Sequence, residues 1–399
     1  MASPGKVAQH ATPDEIRFNI AGAGPHTIQP GSALPDITDA VIIDGTTEPD
    51  FATTPIIELD GNVSGTANGL TLGAGSSGST VRGLVINRFD KGIEINAASN
   101  NIIEGNFIGT DVTGTIARAN SIDGIEISSG ATNNIIGGTT AAQRNVISAN
   151  SSFGVEIAGA TSTNNVVQGN YIGTNAAGTA AITNVIGMFV TAPNNTIGGT
   201  VVGAGNLVSG SLGHGVMLQG ADATMNTVAG NLIGTDATGT GPIANSVAGL
   251  WIGLGASNNT IGGTTVAERN VIASNGTDGI VIDDPGTTGN AILGNFIGVD
   301  ATGNVALGNT NNGIDIDFDA GVHTIGGTLP GSGNVISGNA NGIWLNGASG
   351  IIIQGNIIGL NASGNADLGK YQSRHSSQYS RQYDDWGTGC GGGQHHFGQ

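Results

Sequence analysis

Short apolar strands recur along most of the chain in the pattern G-φ-x-φ, where φ is an apolar residue. Four of them read GIEI at 92, GVEI at 154, GLWI at 249 and GIDI at 313. From the first of these onward the pattern returns about every 28 to 34 residues. Alternation with a period of two is typical of β-strands. Each strand therefore turns its φ side chains to one side and x to the other.

Two further repeats lie between these strands. NIIEGNFIGTD at 101 returns in related form at 165, 226 and 290, and NNIIGGTTAAQRNVIS at 133 returns at 194, 258 and 322. Each turn of the repeat thus holds three short strands separated by Gly and Asn turns. This arrangement predicts an all-β fold, a parallel β-helix of about ten coils of three strands, roughly 48 Å long. Its apolar positions would fill the bore.

Two columns of Asn support this register. Asn stacked in successive coils can hydrogen-bond along a solenoid, and Asn tolerates the left-handed backbone of tight turns. We interpret both columns as structural. The first column is Asn101, Asn134, Asn165, Asn195, Asn226, Asn259 and Asn290, and the second is Asn106, Asn145, Asn170, Asn206, Asn231, Asn270, Asn295, Asn334 and Asn356.

Composition narrows the classes of function. The net charge is −18 with a pI near 4.4, which argues against nucleic acid and anionic membrane surfaces as partners. It is compatible with cations or neutral glycans. No apolar run reaches the length of a membrane span, so no membrane insertion is expected, and the first residues hold no apolar signal segment. With Cys390 as its single cysteine, the fold depends on no disulfide.

These repeats resemble the right-handed parallel β-helix proteins of the pectate-lyase-like superfamily, especially the NNxIGGT…NVISGN repeats of bacterial secreted or surface proteins. The resemblance covers roughly residues 60–369 and implies a secreted or cell-surface location. We expect residues 1–59 to form an N-terminal cap with the first strands, and 60–369 to form the β-helix. The superfamily includes lyases, glycoside hydrolases, phage tailspikes and non-enzymatic surface proteins, so the resemblance leaves the activity open.

The repeat stops after Gly369, and residues 370–399 have a different composition, rich in Gln, His and Tyr. Codons shifted by one nucleotide permit a sequence with another G-φ-x-φ strand and another TIGG. We interpret the segment as an out-of-frame tail and expect it to be disordered. Its Cys and His residues are therefore not interpreted as a site.

The x positions predict one continuous row on the outside of the rod. An apolar row of this size on a soluble rod suggests a contact surface, and a Trp ring matches the apolar face of a sugar. We therefore predict sugar binding at Trp251, Trp344, Phe189, Glu126 and Glu156. The alternative is a row covered by a long loop or by another subunit. The full row is Thr71, Glu94, Glu126, Glu156, Phe189, Met217, Trp251, Val281, Asp315 and Trp344.

Carboxylates gather near the C-terminal end of this row. Asp283 and Asp317 should lie on adjacent coils roughly 5 Å apart, with Asp315 about 7 Å along the strand. Crowding would raise the pKa of one of them and leave an acid beside a base, as in glycoside hydrolysis. His323 replaces an Asn of the first column and is a further catalytic candidate.

The same carboxylates have two other uses. Asp283, Asp317 and Asp319 offer the oxygen ligands of a Ca²⁺ site, or they form a plain solvated edge. In the superfamily, pectate lyases combine Ca²⁺ with a basic Arg or Lys. No Lys or Arg occurs between Arg269 and Lys370, which counts against a lyase here.

Two hypotheses for function follow. The first is an extracellular polysaccharide-active protein that hydrolyses glycosidic bonds with paired carboxylates on the β-helix face. It requires no cofactor, although Ca²⁺ could bind. The alternative is a non-catalytic module of a bacterial surface protein that binds glycans or extends a stalk.

Overall fold

A computed structural model describes residues 13–318 and 320–369. Its strands form three long parallel sheets, and successive strands of the chain join these sheets in turn. The protein is a right-handed parallel β-helix, as the repeat predicts. The four helical segments in the described residues are single 3-10 turns at Gly45–Thr47, Gly61–Val63, Ala141–Gln143 and Val266–Glu268. No helix there is long and apolar enough to cross a membrane.

The first and second sheets have 12 strands each. The first sheet comprises Asp14–Arg17, Val41–Asp44, Thr80–Arg82, Ile102–Glu104, Ile135–Gly137, Val166–Gln168, Thr196–Gly198, Thr227–Ala229, Thr260–Gly262, Ala291–Leu293, Thr324–Gly326 and Ile352–Gln354. The second comprises His26–Ile28, Ile57–Asp60, Leu84–Asn87, Phe107–Ile108, Val146–Ile147, Tyr171–Ile172, Leu207–Val208, Leu232–Ile233, Val271–Ile272, Phe296–Ile297, Val335–Ile336 and Ile357–Ile358.

The third sheet has 10 strands, and these are the G-φ-x-φ segments of the sequence. It comprises Leu70–Leu72, Ile93–Asn96, Ile125–Ser128, Phe153–Ile157, Ile186–Val190, Val216–Gln219, Leu250–Gly253, Ile280–Ile282, Asn312–Ile316 and Asn341–Leu345. Strands of residues 1–59 already join the first two sheets, whereas the third sheet starts only at Leu70. The segment 370–399, predicted to be a disordered tail, lies outside the described residues.

A single hydrophobic core fills the bore. The φ side chains of each third-sheet strand point inward, and Ile93 and Ile95 are fully buried. The core continues coil by coil from Val41 to Ile336. Burial of apolar surface at about 25 cal/mol per Å² is the main force that holds such a rod together, because each coil covers its neighbours.

Asn ladders run along the turns of the rod. Both predicted columns are hydrogen-bonded, as in Asn101 Nδ2 to Asn134 Oδ1 at 2.9 Å and Asn145 Nδ2 to Asn170 Oδ1 at 2.9 Å. A third ladder, which we did not predict, precedes the third sheet. Its members are Asn120, Asn150, Asn184, Asn245, Asn275, Asn309 and Asn339, with Ser211 in the place between Asn184 and Asn245. The sequence contains the signal for this third ladder, because an Asn lies three or four residues before the Gly of most G-φ-x-φ strands.

Candidate functional site

The outer face of the third sheet carries the predicted row of x residues, here called the central row. Strand pairing places them in register from one coil to the next, through all ten positions. Each side chain is partly exposed. The central row is therefore confirmed as one continuous exterior face, including Glu126, Glu156, Phe189, Trp251 and Trp344.

A second row on the same face escaped the sequence reasoning. It consists of the residue immediately before each strand Gly and is here called the flanking row. Several of its side chains contact central-row residues, either in their own coil or in the following one. Asn68 Nδ2, for example, donates to Glu94 Oε2 at 2.9 Å. The flanking row is Asn68, Lys91, Asp123, Phe153, Ile186, His214, Ala248, Asp278, Asn312 and Asn341.

Near the N-terminal end these two rows form an acidic cluster around a lysine. We call Lys91, Glu94, Asp123, Glu126 and Glu156 the N-terminal acidic cluster. The Lys91 ammonium lies 2.9 Å from Glu94 Oε1 and also pairs with Glu126. Burial disfavours its charge, but hydrogen bonds to Glu126 and Glu94 outweigh this and raise the pKa of Lys91 to about 12.

Glu156 extends this cluster away from the lysine. Carboxylate oxygens of Asp123, Glu126 and Glu156 all lie within 4.8 Å of one another. Burial, followed by the nearby charges of Asp123 and Glu126, raises the pKa of Glu156 to about 7. Burial also raises the pKa of Asp123, whose Oδ1 accepts the Phe153 backbone N–H at 2.9 Å. Glu156 is therefore near half-protonation at neutral pH.

Aromatic side chains occupy the middle of the face. The rings of Phe153 and Phe189 stack with centroids 4.6 Å apart. The Trp251 ring lies flat across Gly253, since a Cβ there would come within 2.2 Å of its ring atoms. The indole N–H also lowers the pKa of Asp283, an effect that burial outweighs. Only Gly at position 253 leaves room for the ring.

At the C-terminal end lie Asp278, Asp283, Asp315 and Asp317, here called the C-terminal acidic cluster. Asp315 pairs in register with Trp344 on the next strand. The backbone N–H groups of Asp283 and Asp317 continue the ladder to Ile252 and Ile282 at 2.9 and 3.0 Å. The two carboxylates therefore lie on adjacent strands, roughly 4.8 Å apart. The backbone brings Asp283, Asp315 and Asp317 together on one face, as the sequence predicts.

The protonation of this cluster is set by burial and mutual repulsion. Burial, then the charges of Asp317 and Asp278, raises the pKa of Asp315 to about 7. Burial also raises the pKa values of Asp317 and Asp283. Oδ1 of Asp315 and Oδ1 of Asp317 are buried without a hydrogen-bond partner among the described residues. The cluster thus places a carboxyl group that titrates near neutral pH beside further carboxylates, and one buried oxygen on each of Asp315 and Asp317 is unpartnered there.

His323 lies in the interior of a turn. It is 1% exposed and continues the first Asn ladder, where Nδ1 accepts the Asn290 backbone N–H at 3.3 Å. Burial lowers the pKa of its imidazole to about 4, so it is neutral at pH 7. Within residues 13–318 and 320–369 no hydrogen bond joins it to the C-terminal acidic cluster. Asp319, the third predicted Ca²⁺ ligand, lies outside the described residues.

Other features of the rod lie apart from these clusters. A concavity of about 460 Å³ is lined by Thr115, Ala117, Ala119, Ala149, Ala181, Ile182 and Thr183. The guanidinium groups of Arg144 and Arg269 stack on Tyr171 and Phe296 at 4.1 and 4.0 Å. Both acidic clusters therefore lie on an open face rather than in this concavity.

No protein-family model matches the chain, and no curated protein sequence matches it. Among solved structures, it is similar to the Azotobacter vinelandii mannuronan C-5 epimerase AlgE6 A-module, with 17% identity, a TM-score of 0.43, and 87% of this chain and 89% of that one covered. The catalytic domain of a GH87 α-1,3-glucanase in complex with nigerose gives 12% identity and a TM-score of 0.41, covering 91% and 70%. Bacteriophage CBA120 tailspike protein 3 gives 12% and 0.38, covering 89% and 56%. Matches at this level carry nothing about the chemistry of the chain's own residues.

Proposed function

We propose that the protein binds a polysaccharide along the central row and hydrolyses it at the C-terminal acidic cluster. One observation carries this proposal. Asp315, whose pKa is raised to about 7, lies two residues from Asp317 and in register with the Trp344 ring. An acid, a base and a sugar platform thus meet on one face. A secreted or cell-surface location suits such a substrate.

In the proposed reaction Asp315 acts as the general acid. It donates its proton to the glycosidic oxygen as the bond from that oxygen to the anomeric carbon breaks. Asp317 takes a proton from the water that attacks the anomeric carbon. Alternate residues of a strand lie roughly 7 Å apart, which falls in the range that leaves room for this water and inverts the anomeric configuration.

The charges favour a neutral glycan. No Lys or Arg occurs between Arg269 and Lys370, so no cation of that stretch is available to pair with a uronate carboxylate. The cluster itself is acidic, and like charges at close range repel. A neutral sugar stacked on Trp344 avoids that repulsion. The mechanism requires no Ca²⁺, although Asp283 and Asp317 remain candidate ligands.

Release of reducing ends tests the proposal. The protein is incubated with a panel of neutral and uronate-containing polysaccharides, beside an Asp317→Asn variant. We expect release from a neutral glycan, an inverted product anomer by NMR, and at least about 100-fold less release by Asp317→Asn. Equal release by both proteins, or release from uronans alone, would show that the assignment of the site or of its substrate is wrong.

A non-catalytic glycan-binding or stalk module is the second candidate. It is favoured by the open face and by Trp251, whose ring already packs against Gly253. In that case glycans bind but no reducing ends appear. Binding that survives in both Trp251→Ala and Trp344→Ala would point to a stalk.

A further inference from the structure

We propose that Gly253 is a specificity-determining residue, because it lets the Trp251 ring lie flat on the third sheet as a second sugar platform beside the proposed reaction site. The ligand is a neutral glycan chain that runs along the rod over Trp251, Asp315 and Trp344. Cleavage of this chain rests on the hydrolysis proposed above, whereas its binding does not. No role had been predicted for Gly253 from the sequence.

Packing holds the Trp251 ring against the sheet. A Cβ built on Gly253 would lie 2.2 Å from two atoms of the six-membered ring, closer than non-bonded carbon atoms approach. Gly253 is buried although its position faces outward, because the ring covers it. The His214 ring borders the indole, with centroids 6.2 Å apart and planes inclined by 36°. One face of the indole therefore rests on Gly253, and the opposite face supplies the exposed part of the partly buried Trp251.

Polar side chains stand on both sides of this ring. Gln219 pairs in register with Gly253 on one neighbouring strand, and Asp283 continues the ladder on the other. Both side chains are partly exposed. An apolar ring face with hydrogen-bonding groups beside it matches a sugar, which carries C–H groups on its faces and hydroxyls at its edge. A purely apolar partner would leave these polar groups without hydrogen bonds.

The register of the central row decides how a chain would lie. The neighbours of Trp251 in that row, Met217 and Val281, are uncharged, which suits a neutral ligand. Trp251 lies two strands from Asp315 on one side, and Trp344 lies one strand from it on the other. At the spacing of parallel strands these separations are roughly 10 and 5 Å. The two platforms therefore flank the proposed acid, so a chain bound to both is cut in its interior.

Gly73 supplies a matched control. It lies two residues after the central-row Thr71, as Gly253 lies two residues after Trp251. A Cβ built on Gly73 meets only the backbone oxygen of Ile37, at an ordinary 3.4 Å. Neither glycine has a positive φ, so Ala suits both backbones. Gly253→Ala therefore displaces a ring that can turn outward, whereas Gly73→Ala adds the same methyl group without displacing one.

Affinity gel electrophoresis of the full chain, on an Asp317→Asn background that prevents turnover, measures binding. The gels contain hydroxyethylcellulose, galactomannan, xylan or dextran, with alginate as the charged comparison. We expect Gly253→Ala to weaken binding of the retained neutral polymer about tenfold, as Trp251→Ala does, with no further loss when both are combined. Gly73→Ala should bind like its parent. Retention by none of the neutral polymers, or full binding by Gly253→Ala, would overturn the proposal.

The position of the ring is tested without any glycan. The indole N–H signal of Trp251 in a ¹⁵N NMR spectrum, assigned by its loss in Trp251→Phe, should shift in Gly253→Ala and stay in place in Gly73→Ala. An unmoved signal in Gly253→Ala would show that the ring does not depend on Gly253, which contradicts the proposal.

Kinetics with Asp317 intact separate this inference from the proposed reaction. Gly253→Ala should raise KM about tenfold with kcat little changed, because the ring lies two strands from the reacting atoms. The viscosity of the polymer should fall early, as interior cuts require, and release of terminal units alone would refute binding across both platforms. A wild-type protein that binds a neutral polymer without releasing reducing ends would refute the hydrolysis, whereas binding and the NMR signal would still decide the role of Gly253.

Discussion

The two acidic clusters share one geometry but differ in what balances their charge. In each, a buried flanking-row Asp accepts a backbone N–H from the next coil, Asp123 at 2.9 Å and Asp278 at 2.8 Å. In each, the adjacent central-row acid, Glu156 or Asp315, has its pKa raised to about 7. The two acids are five coils apart, roughly 24 Å.

The two acidic clusters differ in the group that lies beside their carboxylates. Lys91 pairs with Glu94 and Glu126 at the N-terminal end, whereas the C-terminal cluster contains a neutral amide, Asn312, at 3.0 Å from Asp315. The ammonium stabilises Glu94 and Glu126 as ions, whereas Glu156, with which it forms no ion pair, still has its pKa raised to about 7. The comparison teaches that a lysine makes two of the N-terminal carboxylates a stabilising network, whereas the C-terminal carboxylates have a neutral amide in its place and form the candidate acid–base pair.

The largest expected effect is on catalysis. Asp315→Asn should lower glycan turnover at least about 100-fold, because the proton donor is lost. Glu156→Gln is the control for the reaction step: it removes a central-row acid with the same raised pKa, so kcat should stay within about threefold of wild type and any loss should be confined to KM. Both are measured by release of reducing ends. Equal losses in the two variants would mean that the clusters do not differ in function.

The next effect is on stability at the N-terminal end. Lys91→Met leaves Glu94 and Glu126 without their cation and should lower the free energy of unfolding by about 1–3 kcal/mol. Chemical denaturation measures this. Adding Glu126→Gln to Lys91→Met should restore part of the loss, since one repelling charge is removed. If Lys91→Met is neutral, the lysine does not balance this cluster.

Glycan binding should weaken more modestly. Measured on an Asp317→Asn background, Trp344→Ala should raise the dissociation constant about tenfold, because a stacked sugar loses its platform. Phe189→Ala tests how far the platform extends towards the N-terminal cluster and should change binding less. Calorimetry with an oligosaccharide of the active glycan measures both. A larger loss from Phe189→Ala would move the binding site away from Asp315.

A smaller effect concerns pH and stability. Asp315 and Glu156 titrate near 7 in the folded protein but near 4 when unfolded, so the folded state binds more protons in between. The contribution of these two acids to stability should therefore fall as pH rises from about 4 to about 7 and then level off, whereas His323, with its lowered pKa, contributes in the opposite direction. Asp315→Asn and Glu156→Gln should each remove a falling contribution, so the difference in stability between variant and wild type should change through this window in denaturation measured across pH. A difference that stays constant from about pH 4 to about pH 7 would contradict the raised pKa values.

The smallest effect is that of Ca²⁺. Because the Lys91 ammonium already pairs with Glu126, one of the three clustered carboxylates, 1 mM Ca²⁺ should raise Tm by about 1 °C or less through that site. In Lys91→Met the shift should be larger, since the cation replaces the ammonium. A large wild-type shift that disappears in Asp283→Asn would instead favour Ca²⁺ at the C-terminal cluster.

The sequence predicted the outer face of the third sheet more accurately than the roles of the residues on that face. The central row followed from the period-two pattern, because pairing in a parallel solenoid carries equivalent positions into register. The flanking row was missed because it precedes the Gly of the G-φ-x-φ pattern and lies outside its alternation. His323 had been placed in the first Asn column and also proposed as a catalytic candidate; the structure keeps it in that column and buries it there.

What the sequence by itself determined was the coil, its three strands, two Asn ladders and the outward direction of each x residue. These features depend on the local alternation of apolar and polar residues and on the repeat, and both can be read directly from the sequence. The tertiary structure alone decided that Asn68, Asp123, Phe153 and Asn312 serve the face. Each of these residues contacts a residue of the adjacent coil, about thirty positions away in the sequence. Burial, charge balance and the protonation state of each carboxyl group depend on such neighbours, because these properties are set by distances in space and not by separation along the chain.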